Sequence, residues 1–387
     1  MESKPLTMPI YMDHNATTPL DPRVRAAMDP FLAEQFGNPS SASHAYGWQA
    51  QTAVKKAREQ VAALIGCRSS DVIWTSGATE SNNLALLGVV RAYCKDRPHV
   101  ITQATEHKAV LEVLEAAQEW GATATVVGVD REGRVDPDDI RRAIRPDTVM
   151  VSVMMANNEV GTIQPIEQIA AICKERGVIL HTDAAQSAGK YAFDLKRLPV
   201  DLLSISGHKL YGPKGIGALV QRCMNREFTL KPILFGGEQE RKLRPGTLNM
   251  PGIVGLGAAC AVAREVMDDE CQRLRGFQKK ILSEVRTRFP KVQVNGPMED
   301  RLCNNISLSF PDLHPDAMAL DLAGIAYSSG SACNSANPKP SHVLTAMGRD
   351  EALARATLRL GTGRFTTASE VDTTIAKILK MLEKNYH

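Results

Sequence analysis

The stretch Asp201-Leu202-Leu203-Ser204-Ile205-Ser206-Gly207-His208-Lys209-Leu210-Tyr211-Gly212-Pro213-Lys214-Gly215 runs from apolar residues into small and polar ones grouped around one lysine. Leu202, Leu203 and Ile205 are β-prone and too few for a helix, so they read as a buried strand that delivers Ser206, His208 and Lys209 to its end. Ligands of open α/β sheets bind at such strand ends. A lysine held there, partly desolvated and near other cations, has a lowered pKa and can form a Schiff base with a carbonyl group.

Outward from this stretch, residues 72–219 alternate short β-prone runs (99–102, 125–127, 149–153 and 178–181) with amphipathic helical segments. That is the pattern of βαβ units and a mostly parallel sheet. One helix is sharply marked: Pro165 opens it, Ile166, Ile169, Ala170 and Cys173 form one face, and Lys174, Arg176 and Gly177 close it. The strands on either side of it are therefore expected to be parallel. Upstream lie a short strand with polar turn residues (10–19), a loop at 37–41 and a helix over 48–64 closed by Gly66. Past Gly257 a long charged helix, about 258–289, marks the passage into a smaller domain. That domain reads strand (306–310), helix (314–323), strand and loop (325–340), helix (341–347), strand (357–360) and helix (368–382).

Composition narrows the function. The chain has 387 residues, 43% hydrophobic and 23% charged, as expected of an ordinary globular enzyme with more than one domain. A net charge of +3 gives no reason to expect nucleic acid or an anionic membrane as partner. No apolar run reaches the roughly 18 residues of a membrane span, and the start lacks a signal-peptide core, so a cytoplasmic location is expected. The eight cysteines form no C-x-x-C pair, which signals neither zinc nor a disulfide framework, and no metal site is expected. Cys333 differs from the others in lying within Ser328-Ser329-Gly330-Ser331-Ala332-Cys333-Asn334-Ser335-Ala336-Asn337-Pro338, a loop-like run of small and polar residues.

Four βα junctions carry polar residues behind apolar strands. Thr75-Ser76-Gly77-Ala78-Thr79-Glu80-Ser81 opens a helix with residues small enough for backbone N–H groups and the Thr79 hydroxyl to approach a phosphate. Glu106-His107-Lys108 places a histidine able to stack on a planar ring or carry protons, or simply to cap a helix. Asn157-Asn158-Glu159 follows a strand. His181-Thr182-Asp183-Ala184-Ala185-Gln186 puts a carboxylate where a protonated ring nitrogen would need its counter-ion, or where a helix needs a cap. Together with Lys209 these groups describe a pyridoxal phosphate site.

On these motifs, from Tyr11-Met12-Asp13 to Ser328-Ser329-Gly330-Ser331-Ala332-Cys333, the chain resembles the cysteine desulfurases of the aminotransferase-like superfamily, in the branch with an extended cysteine loop. The resemblance implies an α/β fold of fold type I. A large pyridoxal phosphate-binding domain (18–262) holds a mostly parallel seven-stranded sheet. A smaller α+β domain (1–17 and 263–387) carries the catalytic cysteine loop. It implies that Lys209 carries the cofactor as a Schiff base, that Asp183 pairs with the pyridine nitrogen and that His107 stacks on the ring. Asn158 and Gln186 match partners of the ring oxygen, and Ala78, Thr79, Ser206 and His208 match the phosphate site. Thr247 matches a residue supplied by the second subunit of a homodimer. Arg359, with help from Asn38 and Asn158, matches the binding site for the substrate carboxylate. Cys333 matches the cysteine, on a mobile loop, that takes sulfur from L-cysteine as a persulfide, leaving alanine. The persulfide then passes to an acceptor protein, such as an iron–sulfur scaffold or another sulfur carrier. Selenocysteine lyase, or a related C–S lyase, is the alternative activity. Two departures stand out: Glu238 follows Gly236-Gly237 where many relatives have a third glycine, and the sequence stops at His387 where housekeeping relatives continue into a scaffold-docking tail.

Overall fold

The computed structural model describes residues 8–329 and 340–386. The short strand β1 (Ile10–Tyr11) pairs in parallel with a two-residue strand at Ile325–Ala326. Seven strands follow in one sheet: β2 (Val72–Thr75), β3 (His99–Gln103), β4 (Thr123–Val127), β5 (Thr148–Ser152), β6 (Ile179–Asp183), β7 (Leu202–Ser206) and β8 (Gly217–Gln221). Their order is β2-β8-β7-β6-β5-β3-β4. The pairs from β7 through β4 are parallel, and β8 runs antiparallel to both β2 and β7. The strands are apolar because helices cover the sheet, which leaves the strand ends as the place for polar residues. β5 and β6 are parallel, with Val151 opposite Leu180, as the helix between them (Ile166–Arg176) requires.

The helix expected over 48–64 begins earlier, at Ala45, because the His44 side chain accepts from the Gly47 N–H and caps it. Its C-terminus is as expected, with Gly66 in the left-handed conformation. A larger correction concerns the long helix, which spans Met250–Arg288 and starts eight residues before the expected point. Asn249 caps it by accepting from the Gly252 N–H. Gly257 lies inside the helix as a close-packing position: a Cβ there would lie 2.6 Å from the Cα of Ala57. By length and composition this helix is apolar enough to cross a membrane, but its first half is packed against the helices Pro22–Ala33 and Ala45–Ile65.

A second sheet, all antiparallel, is built from Gln293–Val294, Asn305–Ser309, Ser328–Ser329 and Thr357–Gly361. Its apolar faces pack with Met12, the end of the long helix and the terminal helix Ala368–Asn385 into a core separate from the two that flank the large sheet. Arg364 ties these parts together. Its guanidinium reaches Glu270 on the long helix at 2.7 Å and Asp21, the cap of the helix Pro22–Ala33, at 2.8 Å, and it lies over the Tyr211 ring.

Candidate active site

The C-terminal ends of β5, β6 and β7 and the start of the helix Ala78–Ala92 converge on a pocket of about 570 Å³. Ala78, Thr79, His107, Asn158, Asp183, Gln186, Ser206, His208, Lys209 and Arg359 all line it. Residues up to 131 positions apart, Ala78 to Lys209, thus meet at one edge of the large sheet, and Arg359 joins them from the second sheet.

Lys209 sits in a short helical turn directly after β7, and its Nζ donates to the main-chain oxygens of Asn15 (2.6 Å) and Ala16 (2.7 Å). Burial, with Lys190 and Arg359 nearby, pulls its pKa down to about 7 from the ordinary 10.5. Near neutral pH a large share of this amine is therefore unprotonated and nucleophilic. Asp183 is 7% exposed and ends β6. Its Oδ2 accepts from the Asn82 amide at 2.7 Å and its Oδ1 from the Ala185 N–H at 2.9 Å. The carboxylate organises the local turn and also lines the pocket.

His107 likewise does two things. Its Nδ1 accepts from the Ala109 N–H at 3.0 Å, capping the helix Lys108–Ala117, while the ring is exposed to the pocket. Burial by surrounding protein lowers its pKa, which favours the neutral imidazole. His208 is also held neutral: burial and then the neighbouring Lys209 bring its pKa to about 4, and its Nδ1 meets the Thr17 hydroxyl at 3.1 Å. Ser206 ends β7, and the first turn of Ala78–Ala92 offers backbone N–H groups that have no partner within the helix. The approach is tight there, for a Cβ at Gly217 would lie 2.6 Å from the Cα of Gly77.

Arg359 reaches in from the second sheet. Its Nη2 donates to the Ser328 hydroxyl at 2.7 Å and pairs with Asp13 at 3.2 Å, while Nη1 lies 3.5 Å from the Asn158 main-chain oxygen. Its Nε is buried and has no hydrogen-bond partner among the described residues. Gln186 donates from Nε2 to the Asn15 oxygen, and its Oε1 is a buried acceptor with no donor among the described residues.

Asn38 does not line this pocket, and neither does Thr247, which is expected at the site of an opposite subunit. Thr247 is exposed elsewhere on the chain. Asn38 is exposed too, and its Oδ1 accepts locally from the Ser40 N–H at 2.9 Å. Cys333 lies outside the described residues. Sequence reasoning missed several contributors. Asn15 and Ala16 bind Lys209 through main-chain oxygens, which no side-chain motif announces. Asn82 aligns Asp183, and Lys214 lines the pocket as a further cation. Asp13, in the quoted stretch Tyr11-Met12-Asp13, had a polar signal but no assigned role.

Comparison with known proteins agrees with this architecture. Residues 10–374 match the family model described as aminotransferase class-V. A protein of Methylobacillus flagellatus named cysteine desulfurase IscS is 47% identical over 380 residues, covering 97% of this chain and 93% of its own. Among solved structures, a NifS-like protein superposes with a TM-score of 0.90 at 37% identity, covering 97% of this chain and all of that one. Another, described as SspA in complex with cysteine, has a TM-score of 0.80 at 36% identity and covers 92% and 100% of the two chains. From its strand-end site to its sequence relatives, the chain belongs to the aminotransferase class-V family.

Proposed function

We propose that the protein is a pyridoxal phosphate-dependent L-cysteine desulfurase that converts cysteine to alanine and passes the sulfur to an acceptor protein. The observation that carries this reading is the pairing, across one pocket, of a lysine with a pKa near 7 and a carboxylate held by Asn82 and a main-chain N–H.

The donor set suits the cofactor. The first-turn N–H groups of Ala78 and Thr79, with Ser206 and His208, would hold its phosphate. Asp183 would face the ring nitrogen and keep it protonated, His107 would lie on the ring, and the orphaned Oε1 of Gln186, with Asn158, would meet the ring hydroxyl. Lys209 supplies the amine that would link it. Once bound, pyridoxal phosphate supplies an electron sink for charge developing at the substrate α-carbon.

The chain's own residues do the rest. Arg359, fixed by Asp13 and Ser328, binds the substrate carboxylate. Lys209, poised near neutrality, takes and returns the proton at the α-carbon, and His107 carries protons at the pocket face. The Cys333 thiolate attacks the substrate sulfur: a bond forms between the two sulfurs, the carbon–sulfur bond breaks, and its electron pair stays with the carbon that becomes the alanine methyl group. This step assigns the persulfide to Cys333 on its match to the family's cysteine.

We further read the protein as a homodimer in which Thr247 completes the phosphate site of the opposite subunit; its exposure on its own chain supports this. Seven described cysteines are all free, and two of them, Cys94 and Cys223, are exposed, which suits a reducing cytoplasm. The test is direct: loaded with pyridoxal phosphate and given L-cysteine and dithiothreitol, the protein should release alanine and sulfide in equal amounts. Release of sulfide with pyruvate, or no turnover, would refute the reading.

A further inference from the structure

Behind the pocket, two thiols far apart in sequence touch. Cys271, midway along the helix Met250–Arg288, and Cys303, just ahead of the strand Asn305–Ser309, bring their Sγ atoms to 3.0 Å. Both point at one main-chain oxygen, that of Lys190: Cys271 donates to it at 3.1 Å, and Cys303 lies 3.9 Å away. Lys190 is itself buried, and its Nζ donates to the main-chain oxygen of Lys209 at 3.0 Å. The thiol pair is therefore one residue removed from the lysine of the active site.

This pair is not a metal centre, since among the described residues no three His, Cys, Asp or Glu side chains are grouped to hold an ion. It is asymmetric in a way that suits redox chemistry. Cys271 is partly accessible and Cys303 is 1% exposed. The hydrogen bond from Cys303, with Lys190 nearby, lowers the pKa of Cys271; the same contact and burial raise that of Cys303. Cys271 is thus the thiol that ionises first and meets solvent, and Cys303 is placed to resolve it. The other buried cysteines, Cys173 and Cys260, make no hydrogen bond to a second sulfur among the described residues.

We propose that Cys271 and Cys303 form a reversible thiol–disulfide latch, closed by a peroxide and opened by a dithiol reductant, between the long helix and the second sheet. In the first step the Cys271 thiolate attacks a peroxide oxygen: a sulfur–oxygen bond forms, the oxygen–oxygen bond breaks, and the leaving hydroxide takes up a proton as water. In the second, Cys303 attacks the Cys271 sulfur: the disulfide forms, the sulfur–oxygen bond breaks, and a second water leaves. Two thiols have then given two electrons and two protons to one hydrogen peroxide. Closure removes the S–H that Cys271 donates to the Lys190 oxygen, so the modification is felt at the residue that anchors the Lys209 backbone. The latch rests on geometry separate from the proposed activity, and its test needs no turnover.

The test is to expose reduced, desalted holoenzyme to one equivalent of hydrogen peroxide and digest it without reduction. Mass spectrometry should find a Cys271–Cys303 linked peptide as the main cross-linked species. The thermal midpoint should rise by roughly 5 °C, return with dithiothreitol, and stay unmoved in Cys271→Ser and Cys303→Ala. Recovery of Cys271 as a sulfinic acid with Cys303 still reduced, or oxidation confined to Cys94 and Cys223, would overturn the proposal. Should a variant fail to fold, the linked peptide of the unsubstituted protein still decides.

Discussion

The guanidinium of Arg359 and the carboxylate of Asp13 pair at 3.2 Å across 346 positions of sequence, with Ser328 bonded to both. The two side chains are 11% and 17% exposed, so the pair is held by its surroundings rather than by chance approach in solvent. Arg359 therefore enters the pocket already oriented. Arg359→Lys keeps the charge and loses the fork; it should raise KM for cysteine by about 10- to 100-fold. Steady-state kinetics check this, and an unchanged KM would remove Arg359 from substrate binding.

Asp183 is fixed by Asn82 and the Ala185 N–H. Asp183→Asn keeps an oxygen for the Ala185 N–H but cannot stabilise a protonated ring nitrogen. The chain should fold, bind pyridoxal phosphate and lose at least about 100-fold in kcat. Circular dichroism and kcat, measured together, separate this from misfolding.

The lowered pKa of Lys209 sets the pH at which the apoprotein takes up its cofactor. Only the neutral amine reacts, so the second-order uptake rate should climb about tenfold per pH unit below 7 and level off above it. An ordinary lysine would keep climbing toward 10.5. The sign carries over to stability. Between about 7 and 10.5 the unfolded chain holds a proton that the folded apoprotein does not. The contribution of Lys209 to apoprotein stability therefore increases with pH across that window and is lost as pH falls through 7. Stopped-flow absorbance over pH 5–9 reads the rate.

Arg364 holds two buried carboxylates, Asp21 and Glu270, that are 1% and 8% exposed. Arg364→Ala strips Glu270 of its ion pair and leaves Asp21 with Arg23 alone at the junction of the long helix and the second sheet, and should cost about 3 kcal/mol. Hydrogen bonding to Arg23 and Arg364 holds the Asp21 carboxyl far below the usual range, so its contribution is present at neutral pH and fades only in strong acid. Urea denaturation at pH 7 gives the loss.

How much of this was legible beforehand follows from where each signal resides. The βα junctions were readable because apolar strands ending in polar residues leave a local pattern, and the structure gathers Thr79, Asn158, Asp183, Gln186, Ser206 and Lys209 into one pocket. The start of the long helix was placed past Gly257, eight residues late; only the nearness of Met28 to Gly255 and of Ala57 to Gly257 shows that these glycines make room for neighbouring helices. Asn82, Lys190 and Asp13 act through contacts with residues 19 to 346 positions away, which no local pattern records. The Cys271–Cys303 contact, 32 positions apart, left no local pattern for the same reason.

The central claim is that sulfur leaves cysteine onto Cys333 with the help of Lys209. Its most direct measurement is a single turnover of the holoenzyme with L-cysteine and no reductant, read by mass spectrometry of the intact and digested chain. The account predicts one added sulfur atom per subunit, located on the Cys333 peptide, with one alanine released. Cys333→Ala should gain no sulfur and form alanine at no more than about one-hundredth of the rate. Alanine formed by Cys333→Ala at the unsubstituted rate, or the added sulfur found on another cysteine, would contradict it.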